Sequence, residues 1–357
     1  MGQAGTRPRE IIYLWEKHTN KFSKKRDTIL NRQWIKHDVP LIRGYMHENS
    51  QINKVYCSVL FQTYCSNDCI FCGPSGQDRR KPRHEVLEME RSAYAAIKEL
   101  RGQGYERIEV SGLDPLEYEH LPEYITALRK AGFKWVRVST NGVRLSDAGF
   151  ARKLLKSKVD LFRIPIYGKS PETHDAITRT KGSFDKTIKG IKNIKKEGGR
   201  VLLTSLLFRQ NALELKQIFD LMYELKCDDL YFSPVFISNN DYSYYIPHKL
   251  QPPFFRNLVR HASTQGREVK FRDVPYCVIG FDNDFTNNQW QPAHLARGSE
   301  VAPYYKTETP DLPRYRQKAH LDLCKACAVK EKCDGFLVND TLMYDVRGLE
   351  PIKKNDL

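Results

Sequence analysis

Cys65, Cys69 and Cys72 lie in the run Tyr-Cys-Ser-Asn-Asp-Cys-Ile-Phe-Cys at 64–72, with the spacing C-x3-C-x2-C. Three thiolates on one short loop can hold three irons of a [4Fe–4S] cube and leave the fourth iron without a protein ligand. An open coordination position is where a metal site does chemistry, as in catalytic zinc centres. The competing use of such thiols is a zinc knuckle, which would want a nearby histidine or a fourth cysteine. His84 is the only histidine soon after the loop.

A second group follows near the C-terminus: Cys324-Lys-Ala-Cys327, then Cys333, Asp334 and Gly335. Cys277, in Val274-Pro275-Tyr276-Cys277, offers a fourth ligand from upstream. Four thiolates close a cluster, and a closed cluster carries electrons. A four-cysteine zinc ribbon uses comparable spacings and stands as the alternative. Two of the nine cysteines remain. Cys57 stands eight residues before Cys65, roughly 25 Å away along a strand at about 3.3 Å per residue, which makes it a poor hydrogen-atom donor. Cys227 sits where a small buried apolar residue is expected.

The elements that must carry these loops are legible as apolar runs alternating with amphipathic helices. Val55–Tyr64 reads as a strand delivering the first cysteine loop, followed by a helix over Leu87–Arg101. Strands at Arg107–Ser111, Trp135–Ser139, Leu161–Tyr167, Val201–Phe208 and Leu230–Val235 alternate with helices at Leu121–Ala131, Asp147–Lys156, Phe184–Glu197 and Leu213–Leu225. Six strands alternating with helices imply parallel strands joined by right-handed crossovers. Such a sheet binds its ligands beyond the carboxyl ends of its strands, where Cys65–Cys72 fall. His174-Asp175 is read as opening a short helix with Asp175 in a capping role, and Ser183 as the N-cap of the next helix. Residues 237–320, rich in aromatics and prolines, read as loops over the barrel mouth.

The cysteine spacing, with an aromatic before the third cysteine, resembles the signature of the radical S-adenosylmethionine (SAM) superfamily. In that family the open iron is chelated by SAM, which is cleaved reductively to a 5′-deoxyadenosyl radical that abstracts a hydrogen atom from substrate. Gly112-Leu113-Asp114-Pro115 resembles the family's Gly-Gly-Glu-Pro turn, with Leu113 and Asp114 as departures. Ser139-Thr140-Asn141-Gly142 resembles its Thr-Asn-Gly segment. The resemblance covers about residues 54–236 and implies a fold, a partial (β/α)6 TIM-like barrel of the α/β class. It further implies SAM contacts from Phe71, Ser111, Gly112, Asp114, Ser139 and Asn141, and cluster ligation by Cys65, Cys69 and Cys72. The C-terminal pattern is similar to the SPASM and twitch auxiliary-cluster domains, which implies a second [4Fe–4S] cluster on Cys277, Cys324, Cys327 and Cys333. No catalytic base or hydrogen donor is assigned.

The expected organisation is a basic helical extension at 1–53, a radical SAM core at 54–240, and a lid with a small auxiliary Fe–S domain at 241–357. The chain has 357 residues, 58 Lys and Arg against 43 Asp and Glu, and a formal charge of +15. Such basicity invites nucleic acid, yet lysines such as Lys186, Lys189 and Lys192 are spaced as an ordinary solvated helix face. Clustered cysteines without a secretory leader point to a reducing, cytoplasmic setting, and no apolar run is long enough to span a membrane. The resemblance implies an enzyme served by an external one-electron donor of the flavodoxin or ferredoxin type. It ranks a ribosomally made peptide first as substrate, then a small metabolite, then RNA. The non-enzymatic alternatives are a zinc or Fe–S nucleic-acid-binding module and an electron carrier.

Overall fold

The computed structural model describes residues 56–61, 64–72, 82–235, 241–279, 318–330, 333, 335–337 and 349–353. The basic extension expected over 1–53 lies outside the described residues. Strands and helices alternate as β1 (Tyr56–Phe61), α1 (Arg83–Gly102), β2 (Arg107–Gly112), α2 (Leu121–Lys130), β3 (Trp135–Ser139), α3 (Ala148–Lys156) and β4 (Leu161–Pro165). They continue as α4 (Pro171–Thr178), α5 (Ser183–Lys196), β5 (Val201–Leu207), α6 (Leu215–Glu224) and β6 (Asp229–Pro234). Beyond these lie α7 (Pro252–Thr264), β7 (Lys270–Phe271), α8 (Tyr276–Ile279) and an antiparallel pair, β8 (Lys318–Ala319) with β9 (Phe336–Leu337).

The six expected strands are present, all parallel and hydrogen-bonded in sequence order from β1 to β6. The two-residue β7 adds a seventh parallel strand beside β6. Alternation along each strand fixes its two faces. Ile108, Val110, Val136, Val138, Phe162 and Ile164 join Leu100, Ile125 and Leu128 of the helices in the main core. The intervening positions Glu109, Arg137 and Arg163 therefore point to the concave side. There Leu161, Leu202 and Tyr231 form a separate small apolar layer with Trp135 packed against it.

Two expectations are corrected. The segment read as loops contains α7, whose Pro252 and Pro253 occupy its first turn, where a missing N–H costs nothing. Phe254, Phe255, Leu258, Val259 and Ala262, at helical spacing, bury its inner face in the main core. The other correction concerns capping. α4 begins at Pro171, and Asp175 within it caps α5 instead, accepting from Gly182 N–H at 2.6 Å and Phe184 N–H at 2.8 Å. Ser183 is thus the first residue of α5, and its hydroxyl donates to Asp175 at 2.8 Å.

Candidate active site

Parallel strands deliver their following loops to one edge of the sheet, and the cysteine loop is fastened there by its neighbours. The N–H groups of Asp68 and Ile70 donate to the carbonyls of Thr178 and Ile177 at the end of α4, each at 2.9 Å. The Tyr64 carbonyl accepts from Asp114 N–H at 3.1 Å, tying the loop to the turn after β2. The Asn141 amide, from the turn after β3, donates to the Ser66 hydroxyl at 3.1 Å and to the Cys65 sulfur at 3.6 Å.

Cys65, Cys69 and Cys72 are half-buried thiols. Phe71, between the second and third thiols, packs edge-on against Tyr167 with ring centres 5.4 Å apart and lies 5.1 Å from Phe208. Tyr244 and Tyr245 complete this aromatic cluster, so part of the segment expected to cover the barrel mouth packs beside the cysteine loop. Burial, and then the charges of Cys69 and Cys72, push the Tyr167 phenol well above its ordinary value, with Cys65 acting in the same direction. The charge of each of the three sulfurs is felt at this one hydroxyl. This donor set, with an amide already aimed at one sulfur, fits a cluster held by three thiolates.

Asn141 is placed by close backbone approach. Gly142 adopts φ of +80°, a conformation that glycine takes without strain. A side chain at Gly190 of α5 would meet the Gly142 carbonyl oxygen at 2.5 Å, so α5 lies directly on this turn. The Thr187 hydroxyl donates to the Asn141 carbonyl at 3.0 Å from the same helix.

Asp114 is fully buried. Its Oδ1 accepts from the Thr140 hydroxyl at 2.7 Å and from Leu116 N–H at 3.1 Å, and its Oδ2 from Asn141 N–H at 3.4 Å. The carboxylate thus locks the turn after β2 to the turn after β3. Ser139 donates its hydroxyl to Glu109 on the concave face. Ser111 is half-buried at the end of β2, and Gly112 is exposed with φ of +129°.

Burial drives the Asp114 carboxyl up to about 7, against the hydrogen bonds from Thr140 and Leu116. The folded protein therefore favours the protonated acid, whose benefit is full below the ordinary value of 3.8 and is lost as pH rises towards 7. His174 acts oppositely: burial lowers it to about 4, so its contribution is full above 6.5 and disappears as pH falls. The difference between wild type and Asp114→Asn isolates the first effect. Relative to the variant, wild type is expected to lose about 1–3 kcal/mol between pH 4 and 7, the cost of a buried charge imperfectly satisfied. Urea unfolding across that range measures it, and a flat difference would exclude it.

The sequence reading passed over a set of charged residues on the concave side. Glu109 pairs with Arg137 at 2.6 Å and with Arg163 at 2.9 Å. Burial pushes this carboxyl up, yet Arg163, Arg137 and the Ser139 hydroxyl together bring it down to about 2. The available signal was a charged residue within each of β2, β3 and β4, flanked by helix-facing apolar neighbours: Ile-Glu-Val, Val-Arg-Val and Phe-Arg-Ile.

The second cysteine group lies across α8 and the C-terminal segment. Burial, followed by the charges of Cys333, Cys324 and Cys327, pushes the Cys277 thiol up to about 12. Gly335 N–H donates to the Cys333 sulfur at 3.4 Å. Tyr276, Val329 and Ile352 pack around Cys327 and Cys333. Among the described residues no three His, Cys, Asp or Glu side chains are already drawn together as the shell of a single ion. Among them also, no helix is long and apolar enough to cross a membrane.

Residues 59–222 match the model of the Radical SAM superfamily. The chain is 30% identical over 168 residues to Fe-coproporphyrin III synthase of Methanosarcina barkeri, covering 47% of this chain and 41% of that protein. It is 25% identical over 189 residues to a probable GTP 3′,8-cyclase of Metallosphaera sedula, covering 51% and 56% of the two chains. The chain thus spans about half the length of the curated relatives it matches. The solved structure of native anSMEcpe with bound AdoMet aligns with a TM-score of 0.50 at 18% identity, over 61% of this chain and 64% of that one, a likeness of fold.

Proposed function

We propose that this chain, built around a radical SAM enzyme domain at residues 59–222, binds a [4Fe–4S] cluster on Cys65, Cys69 and Cys72 and cleaves SAM reductively. Bound there, cluster and SAM supply a 5′-deoxyadenosyl radical that takes a hydrogen atom from substrate. The observation that carries this reading is the set of three half-buried thiols at the carboxyl edge of a parallel sheet, with the Asn141 amide 3.6 Å from the Cys65 sulfur.

The chain's own groups hold and orient. Asn141 steadies Cys65 and Ser66, and its turn offers polar groups to the ribose or carboxylate of SAM. Phe71 supplies an apolar ring for the adenine. The backbone of Ser111 and Gly112 receives the methionyl amine, with Asp114 holding the turn in place from below. Ser139, bound to Glu109, lines the same edge. Cys277, Cys324, Cys327 and Cys333 form a second, closed [4Fe–4S] site for electron transfer, supported by their sequence pattern and by the packing of Tyr276, Val329 and Ile352 around Cys327 and Cys333. An external flavodoxin- or ferredoxin-type donor supplies the electron, and the setting is the reducing cytoplasm.

A ribosomally made peptide is the substrate that the motif resemblance favours. A small metabolite is the second reading, favoured by relatives that bear the names of a coproporphyrin synthase and a GTP cyclase. Anaerobic reconstitution tests the cofactor assignment. About eight irons per chain and 5′-deoxyadenosine on reduction with SAM are expected. Zinc in place of iron at both groups, with no 5′-deoxyadenosine, would refute it. Four irons plus one zinc would remove only the second cluster.

A further inference from the structure

We infer that the Tyr167 hydroxyl donates a hydrogen bond to the iron–sulfur cluster held by Cys65, Cys69 and Cys72, and so raises the reduction potential at which that cluster takes its electron. This rests on the radical SAM reading above and gives a role to a residue that the reading leaves unused.

Simple alternation brings Tyr167 to the mouth of the sheet. Ile164 and Ile166 join the main core on the helix side, so Arg163 and Tyr167 turn to the concave side. Ile166 N–H bonds the Thr204 carbonyl at 2.9 Å, which carries the pairing of β4 with β5 up to the residue before Tyr167. The backbone of Tyr167 is then fixed at both ends. Its N–H donates to His174 Nδ1 at 3.2 Å, and its carbonyl accepts from the Asn211 amide at 2.8 Å. Both partners are buried.

The ring is held as firmly as the backbone. His174 stacks on it with centres 5.7 Å apart and planes 26° apart. Phe71 and Phe208 meet it edge-on at 5.4 Å and 5.5 Å. Ile70 and Phe71, the two residues between Cys69 and Cys72, both pack on the apolar cluster that contains Tyr167. Three rings around one phenol limit its motion, so the hydroxyl keeps its place relative to the cysteine loop.

Among the described residues the Tyr167 hydroxyl makes no hydrogen bond, although the residue is only 7% exposed. Hydroxyls so far removed from water are ordinarily paired. The charges acting on this one are those of Cys69 and Cys72, then Arg163 and Cys65. Tyr244, the phenol beside it in the same apolar cluster, feels Asp241 and Tyr242 ahead of Cys72. Tyr167 is therefore the phenol directed at the thiols. A phenol carries its proton at neutral pH and has one hydrogen bond to give. The sulfurs of a cluster on three thiolates accept such bonds and gain negative charge on reduction, so a donor held beside them favours the reduced state.

The test is a potentiometric titration of the full chain, reconstituted anaerobically and followed by electron paramagnetic resonance, in which the signal that SAM perturbs identifies the first cluster. Tyr167→Phe keeps the ring and is expected to lower the reduction constant of that cluster about tenfold, 59 mV for one electron. Tyr244→Phe should leave the potential unchanged. After exchange into deuterated water, wild type should show a deuteron coupled to the cluster that Tyr167→Phe lacks. An unchanged potential in Tyr167→Phe, or an equal shift in both variants, overturns the inference. Should Tyr167→Phe take up no iron, Tyr167→3-fluorotyrosine decides: a stronger donor raises the potential, and an unchanged or lower one overturns the inference. SAM cleavage with an unmoved potential removes this inference alone. A shifted potential without SAM cleavage removes the radical SAM reading alone, and a chain that takes no iron on the three cysteines removes both.

Discussion

Replacing Cys65, Cys69 and Cys72 by alanine is expected to abolish 5′-deoxyadenosine formation and to remove about four of eight irons per chain, the content of one cube. The thiols are the sulfur ligands on the loop, and the one carboxylate beside them, Asp68, is paired with Arg179 at 3.0 Å. The loop itself should survive, because its fastening does not depend on the sulfurs. Asp68 and Ile70 remain bonded to the end of α4, and Tyr64 to Asp114. The matching substitution of Cys324, Cys327 and Cys333 should remove the other four irons while sparing SAM cleavage in the absence of substrate. Measuring product by chromatography alongside iron content separates the groups. Cleavage that persists in the first variant, or disappears equally in both, would reverse the assignment.

Glu109→Gln is expected to cost about 3–5 kcal/mol of stability, the loss seen when one partner of a buried ion pair is removed. The substitution keeps the shape but strips the charge that two guanidiniums share, at 2.6 Å and 2.9 Å. It also removes the carboxylate oxygen that accepts from Ser139. A double variant with Arg137→Met should recover part of the loss, because a buried cation no longer lacks a partner. The pH dependence carries the same sign. The Glu109 carboxyl is lowered from 4.5 to about 2, so its contribution is full above 4.5 and is lost as pH falls towards 2. The variant should lack that part of the acid limb. Urea unfolding at neutral pH gives the magnitude, and a cost below about 1 kcal/mol, the range of an exposed pair, would mean the cluster is well hydrated.

Helix and strand order was legible because each element bears a local period. Trp135–Ser139 occupies the same residues in sequence and structure, since alternating Val136 and Val138 must face the helices. α7 was missed because Pro252 and Pro253 read as loop residues, whereas at a helix start they are favourable. Asp175 was legible as a cap, but which helix it caps depends on how α4 folds back on α5. The six parallel strands followed from alternation with helices. The seventh, two residues long, is too short to carry a period and exists through pairing with β6.

By itself the sequence determined which residues can ligate iron, because thiol chemistry and the spacing of Cys65, Cys69 and Cys72 are properties of the chain alone. It likewise determined which side of each strand meets the helices, since a period of two leaves no choice once apolar residues must be buried. Only the tertiary structure decided what the other side does. Glu109, Arg137, Arg163, Tyr231 and Arg272 come from five different places in the chain, and winding the sheet through β7 brings them into one lumen. It also decided that the carboxylate of Asp114 faces Thr140 and Asn141 within the protein, because burial and three donors hold it there. Pairings between distant segments have no local signature, since their energy arises only when the chain closes and water leaves.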